Sequence, residues 1–193
     1  MKRLLFIPLL LLALSGYAQT IIRANGFYVA PAVAAGCGGG SSNYGDTDGS
    51  SAGSDYYNNY VYYNKITVTV CGTVSAVHNY CGAVVTDESM WGIYTDNGGV
   101  PGSLITNGAT DVLTVMDDNA YNTWTFSTDP TVTSATDYWV GIMTNHQFLG
   151  NNGGGAVTLY YQARAYGLGF PATATPLLLG TTFDTGCYIV VDH

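Results

Sequence analysis

Between positions 56 and 191 apolar and polar residues alternate in short runs, and clusters of turn-forming residues separate the runs. The clearest run is Ile66-Thr67-Val68-Thr69-Val70, in which Ile66, Val68 and Val70 share one face. Tyr56 to Tyr63, Met90 to Thr95, Val112 to Met116, Tyr121 to Ser127, Asp137 to Thr144, Ala156 to Tyr166 and Phe183 to Val191 are further predicted strands. All are rich in Val, Ile, Thr and aromatic residues, which suit a pleated, half-buried surface. Between them stand Asp117-Asp118-Asn119, Asp129-Pro130, Asn151-Asn152-Gly153-Gly154-Gly155, Phe170-Pro171 and Asp184-Thr185-Gly186. Asn, Asp and Gly tolerate the positive φ angles of tight turns, and Pro presets a turn's first position. No convincing 3.6-residue period and no internal repeat interrupts this pattern. It predicts an all-β fold, an antiparallel β-sandwich of jelly-roll-like type.

The N-terminal third reads differently. Lys2 and Arg3 precede an apolar run from Leu4 to Leu14, and Ser15-Gly16-Tyr17-Ala18 follows with small residues. This three-part pattern is that of a secretory signal peptide, with cleavage expected after Ala18. The run is too short to span a bilayer stably, so no membrane span is expected after signal cleavage. Residues 19–35 contain Ile21, Ile22, Phe27, Tyr28 and Val29 and predict a short strand arm. Residues 36–54 are almost entirely Gly, Ser, Asn and Asp and predict a linker or loop. The sandwich is expected over 55–193.

Charge narrows the partners. The chain holds 5 Lys and Arg against 13 Asp and Glu, for a formal net charge of −8. Only Arg23, Lys65 and Arg164 lie beyond the predicted signal peptide. Nucleic acid is therefore a poor partner. Charged residues make up 9% of the chain, against about 25% in an ordinary domain. Tyr, Gly, Thr and Asn take their place. A surface rich in hydroxyl and amide groups suits an extracellular polysaccharide or copies of the same chain. Tyr56, Tyr57, Tyr60 and Tyr63 form a dense aromatic cluster and are the candidate ligand-binding residues. Tyrosine pairs an apolar ring with a polar tip, which is how a pyranose is held. Alternation places Tyr60 and Tyr63 on opposite faces of a strand. Trp91, Trp124 and Trp139 fall mid-strand and are expected in the core.

Four cysteines follow the signal peptide, Cys37, Cys71, Cys81 and Cys187, which in an oxidising compartment allow three disulfide connectivities. The favoured pairs are Cys71–Cys81, closing a local loop, and Cys37–Cys187, tying the ends together. Their spacing is not that of a zinc site. Calcium is the one cofactor the sequence raises, with Asp46, Asp48 and Asp55 as its partial ligand set. The acidic residue that completes a calcium loop at its twelfth position is missing. Catalytic signals are weak. Gly49-Ser50-Ser51-Ala52-Gly53 matches a nucleophile-elbow pattern but sits in a Gly/Ser-rich stretch rather than a strand-to-helix turn. Glu88 is the only glutamate and most aspartates fall in turns, so no carboxylate pair for glycoside hydrolysis can be nominated. His78 and His146 have no identifiable nucleophile partner. The expected class is a non-catalytic module.

The run Trp91-Gly92-Ile93-Tyr94-Thr95-Asp96-Asn97-Gly98-Gly99-Val100-Pro101-Gly102-Ser103-Leu104-Ile105 is a strand, a two-step turn and a second strand. With Trp124-Thr125-Phe126, Thr136-Asp137-Tyr138-Trp139-Val140-Gly141-Ile142 and Phe170-Pro171-Ala172-Thr173, it resembles the secreted choice-of-anchor β-sandwich domains of bacteria and archaea, which have relatives in phage tail-fibre proteins. The resemblance spans roughly residues 60–191. It implies a surface or extracellular module and brings no catalytic residues with it. Two functions from different classes follow as expectations: a secreted module for cell-surface adhesion or carbohydrate binding, and a structural subunit of an extracellular filament or matrix assembling by strand addition of its N-terminal arm.

Overall fold

The computed structural model describes residues 21–23, 26–28, 37–47, 55–83, 88–145, 148–150, 158–180 and 186–193. Two units separate at Cys37. In the first, β1 (Ile21–Arg23) and β2 (Gly26–Tyr28) pair with each other as an antiparallel two-stranded sheet. The predicted single strand arm is thus a hairpin. The predicted signal peptide, the nucleophile-elbow match, Asp48 and His146 lie outside the described residues.

The second unit is a β-sandwich of two antiparallel sheets. Its strands are β3 (Ser41–Gly45), β4 (Asp55–Tyr56), β5 (Tyr60–Val68), β6 (Gly72–Ala83), β7 (Ser89–Asp96), β8 (Pro101–Ala109), β9 (Ala120–Thr125), β10 (Thr131–Val132), β11 (Thr136–Thr144), β12 (Phe148–Gly150), β13 (Leu159–Ala163), β14 (Leu177–Gly180) and β15 (Cys187–Asp192). The six-stranded sheet has the order β14-β13-β5-β11-β7-β8. In the seven-stranded sheet β3 pairs β15 and β15 pairs β6; the far side of β6 is shared by β10, β9 and β12, and β12 pairs β4. All of these pairings are antiparallel, as the alternating pattern predicts.

Alternation builds the core between the sheets. Ile66 and Val68 of β5, Trp91 and Ile93 of β7 and Val140 and Ile142 of β11 face Val74, Val77, Trp124, Ile189 and Val191. Trp91 and Trp124 meet edge to face with centroids 5.8 Å apart. The six-stranded sheet has a second buried cluster on its other face: Val61, Tyr63, Tyr94, Trp139, Met143 and Ala174, with Tyr160, Tyr166 and Phe170 packed against it. A strap over residues 164–176 covers this face. It is pinned by Tyr94 Oη donating to the Pro171 carbonyl at 2.9 Å, by Leu104 N–H to Ala172 O and by Ala174 N–H to Gly102 O. Gly92 and Gly141 are cross-strand partners beneath it. A Cβ on Gly141 would stand 3.0 Å from the Tyr63 ring, and one on Gly92 3.1 Å from Phe170. The rings of the second cluster occupy the space those side chains would need. All three tryptophans are buried, as their mid-strand positions predict.

Three sequence expectations change. Residues 36–54 are not linker throughout, because Ser41–Gly45 forms β3 against β15. Val112 to Met116 is not a strand; it contributes one isolated bridge, Ser89 to Leu113. The disulfide is Cys37–Cys71, while Cys81 and Cys187 remain buried thiols. The pairs Cys71–Cys81 and Cys37–Cys187 are both excluded by strand geometry. Cys71 precedes the twelve-residue strand β6 and Cys81 lies near its end. At about 3.3 Å per residue they stand roughly 33 Å apart, far beyond disulfide reach. Cys187 begins β15 opposite Asn79, whereas Ser41, four residues after Cys37, pairs Asp192 at the other end of β15. Asp192 in turn opposes Thr73, two residues from Cys71. The end of the sandwich that holds Cys37 is the end that holds Cys71.

Candidate ligand-binding face

The outer face of the seven-stranded sheet carries an aromatic patch. On β6 the inward positions are Val77, Asn79 and Cys81, which leaves His78 and Tyr80 on the outer face. On β15, Cys187, Ile189 and Val191 point in, leaving Tyr188 and Val190 out; on β9, Asn122 and Trp124 point in, leaving Tyr121 and Thr123 out. The ladder then sets their order. Tyr188 lies opposite His78, His78 opposite Thr123, and Tyr80 opposite Tyr121. The Tyr188 and His78 rings stack at 4.7 Å and 11°. Tyr121 meets Tyr188 at 5.5 Å and Tyr80 at 5.4 Å, both edge to face. Thr123 Oγ1 and His78 Nδ1 share a 3.0 Å hydrogen bond. Burial lowers the His78 pKa below its ordinary value, so the imidazole is neutral at neutral pH. Four half-buried rings from three strands therefore form one surface, which includes an imidazole and the Thr123 hydroxyl, while the Tyr121 hydroxyl is turned away from solvent. Such a surface offers apolar ring to C–H groups and hydrogen-bond partners to hydroxyls.

Of the tyrosines singled out in the sequence, Tyr60 and Tyr63 lie on opposite faces of β5, as alternation predicts. Tyr63 is fully buried, donates to Gln162 Oε1 at 3.1 Å and meets Tyr94 edge to face. Burial raises its pKa well above the usual phenol range. It is a core residue with no face for a ligand. Tyr60 is half-buried against Tyr62 and Tyr161, and Tyr57 is half exposed. Tyr56 pairs Phe148 in the β4–β12 ladder, and its side chain lies outside the described residues. The aromatic patch was legible in principle: His78 and Tyr80, and Tyr121 and Thr123, are alternate positions flanking buried ones. What sequence could not supply is that β6, β9 and β15 are neighbours.

A second feature is an open groove of about 540 Å³ lined by Thr95, Asp96, Thr133, Ala135, Thr136, Asp137 and Tyr138. Its charges are engaged internally. Lys65 Nζ lies 2.7 Å from Asp137 and 3.9 Å from Asp96, and Thr67 Oγ1 donates to Asp137 at 2.6 Å. The Lys65 hydrogen bond holds the Asp137 carboxyl below its ordinary pKa, with Thr67 adding to it; Asp137 in turn raises the Lys65 pKa. Asp96 accepts the Trp139 indole N–H at 2.7 Å on one oxygen and the Gly99 N–H at 3.0 Å on the other. The Asp of the strand-turn-strand signature is thus a structural hub. It joins the Asp96 to Gly99 turn, where Gly98 and Gly99 have positive φ, to the neighbouring strand β11.

Of the calcium set, Asp46 is half-buried just after β3, with its N–H bonded to the Cys187 carbonyl, and Asp55 is placed only by its backbone in β4. Among the described residues no three His, Cys, Asp or Glu gather to hold a metal ion. No helix among them is long and apolar enough to cross a membrane. Compared with protein-family models, with curated proteins and with solved structures, the chain matches none.

Proposed function

We propose that this chain is a secreted, non-catalytic β-sandwich module for cell-surface adhesion or carbohydrate binding, and that it holds an extracellular polysaccharide on the outer face of its seven-stranded sheet. The observation that carries this reading is the contiguous ring set Tyr188, His78, Tyr121 and Tyr80, half-buried on outer positions of the sheet. Rings of this size on an outer sheet face add little to the core, which the inward residues already fill. Their ring faces and the neutral imidazole match a ligand whose surface mixes C–H and O–H groups. The low fraction of charged residues in the chain suits a neutral polymer, and its net negative charge disfavours nucleic acid.

Retention on immobilised polysaccharides and on a glycan array tests the reading. Tyr188→Ala and Tyr121→Ala should each weaken retention about 5- to 30-fold, as expected for a lost aromatic contact of about 1–2 kcal/mol. Their melting temperatures should stay within a few degrees of the wild type. Tyr57→Ala, away from the patch, should leave retention unchanged. A wild-type protein that is retained on no polysaccharide, or variants that bind as well as the wild type, would overturn it.

A further inference from the structure

An aromatic surface supplies contact area, but the choice and orientation of a ligand come from the polar atoms beside it. On the outer face of the seven-stranded sheet one such atom has a fixed direction. The His78 ring is held by both flanking strands. Tyr188 of β15 lies nearly parallel to its face at 4.7 Å, and Thr123 Oγ1 of β9 holds Nδ1 at 3.0 Å. The ladder enforces both contacts, since Tyr188 and Thr123 are the residues directly opposite His78. Nδ1 adjoins the attachment carbon of the ring, and Nε2 is at its free end. Nδ1 is the one ring nitrogen with a hydrogen-bond partner among the described residues, and Nε2, unlike the Tyr121 hydroxyl, is not enclosed. Burial lowers the His78 pKa, so the imidazole carries a single proton at neutral pH. Which nitrogen bears that proton is set by what the other one meets. The threonine hydroxyl can turn to donate to Nδ1, which leaves the proton on Nε2, the tautomer a free imidazole side chain prefers. The patch then holds one N–H donor of fixed direction. Phenol hydroxyls such as those of Tyr80 and Tyr188 rotate and serve as donor or acceptor alike.

We propose that His78 is the specificity-determining residue of this patch, with Thr123 as its positioning residue, and that the ligand class is a neutral polysaccharide bearing acetamido groups. This rests on the carbohydrate-binding reading above and narrows it. An acetamido group offers a carbonyl oxygen to the fixed N–H and a methyl group to the neighbouring rings. A ring hydroxyl in the same place offers no methyl, and the weaker acceptor of the two. A sulfated or uronic polymer would bring negative charge to a chain whose own net charge is −8, which selects the neutral member of the class.

Chitohexaose and cellohexaose are the probes, because they share one backbone and differ only in the acetamido group that replaces a ring hydroxyl. Calorimetry on the purified chain should show chitohexaose bound about 10-fold more tightly, the size of one hydrogen bond with its methyl contact. His78→Phe keeps a ring against Tyr188 but has no N–H. It should bind both probes with the affinity the wild type has for cellohexaose. Thr123→Val keeps the shape of the side chain and removes its hydroxyl. Its melting temperature should match the wild type, its preference for chitohexaose should shrink, and nitrogen NMR should show His78 passing from one tautomer to a mixture. A purely structural threonine would leave that spectrum unmoved. Equal affinities in the wild type, a preference that survives His78→Phe, or a wild-type His78 protonated on Nδ1 would each overturn the proposal. The binding face itself would still stand if Tyr188→Ala weakened both probes. Binding of neither probe also overturns the proposal, and retention on a different polysaccharide would then show that the face binds another class.

Discussion

Asp96 shows how much one side chain of the signature turn holds together. Its carboxylate accepts the Gly99 N–H within its own turn and the Trp139 indole N–H from β11, and stands 3.9 Å from Lys65. Trp139 is fully buried, so its N–H has no route to water if this acceptor is lost. Asp96→Ala should therefore cost about 2–3 kcal/mol, the sum of a hydrogen bond to a charged acceptor and an indole N–H left unpaired. Asp96→Asn keeps one carbonyl oxygen and should cost less. Chemical denaturation with matched slopes checks both; an Asp96→Ala protein as stable as the wild type would show the turn holds without it. At this scale the sequence was legible where alternation has one meaning. Trp91 and Trp124 fall inward by parity on β7 and β9. Trp139 and Tyr63 have the other parity on the six-stranded sheet, yet are buried too, because residues 164–176 cover that face. No local pattern around Tyr63 announces a cover supplied a hundred residues later, and that is why it reads as a surface tyrosine.

At the scale of elements, β6 decides most of what sequence reading missed. Gly72–Ala83 mixes Gly, Ser, His and Asn with its valines, and a bulge opposite Val190/Val191 resets its alternation. The period-2 pattern therefore breaks in the middle of the longest strand. Taken as a loop, the segment lets Cys71 and Cys81 meet; as a strand it holds them apart and brings Cys71 to the end of the sandwich where Cys37 lies. The same strand places His78 and Tyr80 between Tyr188 and Tyr121, so the aromatic patch could only appear once β6 was in place. The Cys37–Cys71 bridge closes 34 residues (71 − 37) and removes denatured-state entropy worth about 3–4 kcal/mol. Cys37→Ser should lose about that much, with strain and residual structure trimming it. Non-reducing peptide mapping should find this linkage alone. Burial pushes the Cys81 thiol up to about 12, so it should resist alkylation at neutral pH until the protein unfolds. A Cys71–Cys81 peptide would contradict the strand assignment of β6.

The whole molecule builds its core and its aromatic patch from the same three strands. β6, β9 and β15 put Val77, Trp124 and Ile189 inward and His78, Tyr80, Tyr121 and Tyr188 on outer positions. The parity that fills the core therefore fixes the patch, and a one-residue slip of any of these strands would exchange the two sets. Removing an outer ring should accordingly leave the fold intact, while removing an inner one should not. Tyr188→Ala should melt within a few degrees of the wild type, whereas Trp124→Ala, which empties a buried indole, should lose about 3–5 kcal/mol. Chemical denaturation of both variants checks this, and a Tyr188→Ala protein as unstable as Trp124→Ala would mean that the outer rings belong to the core.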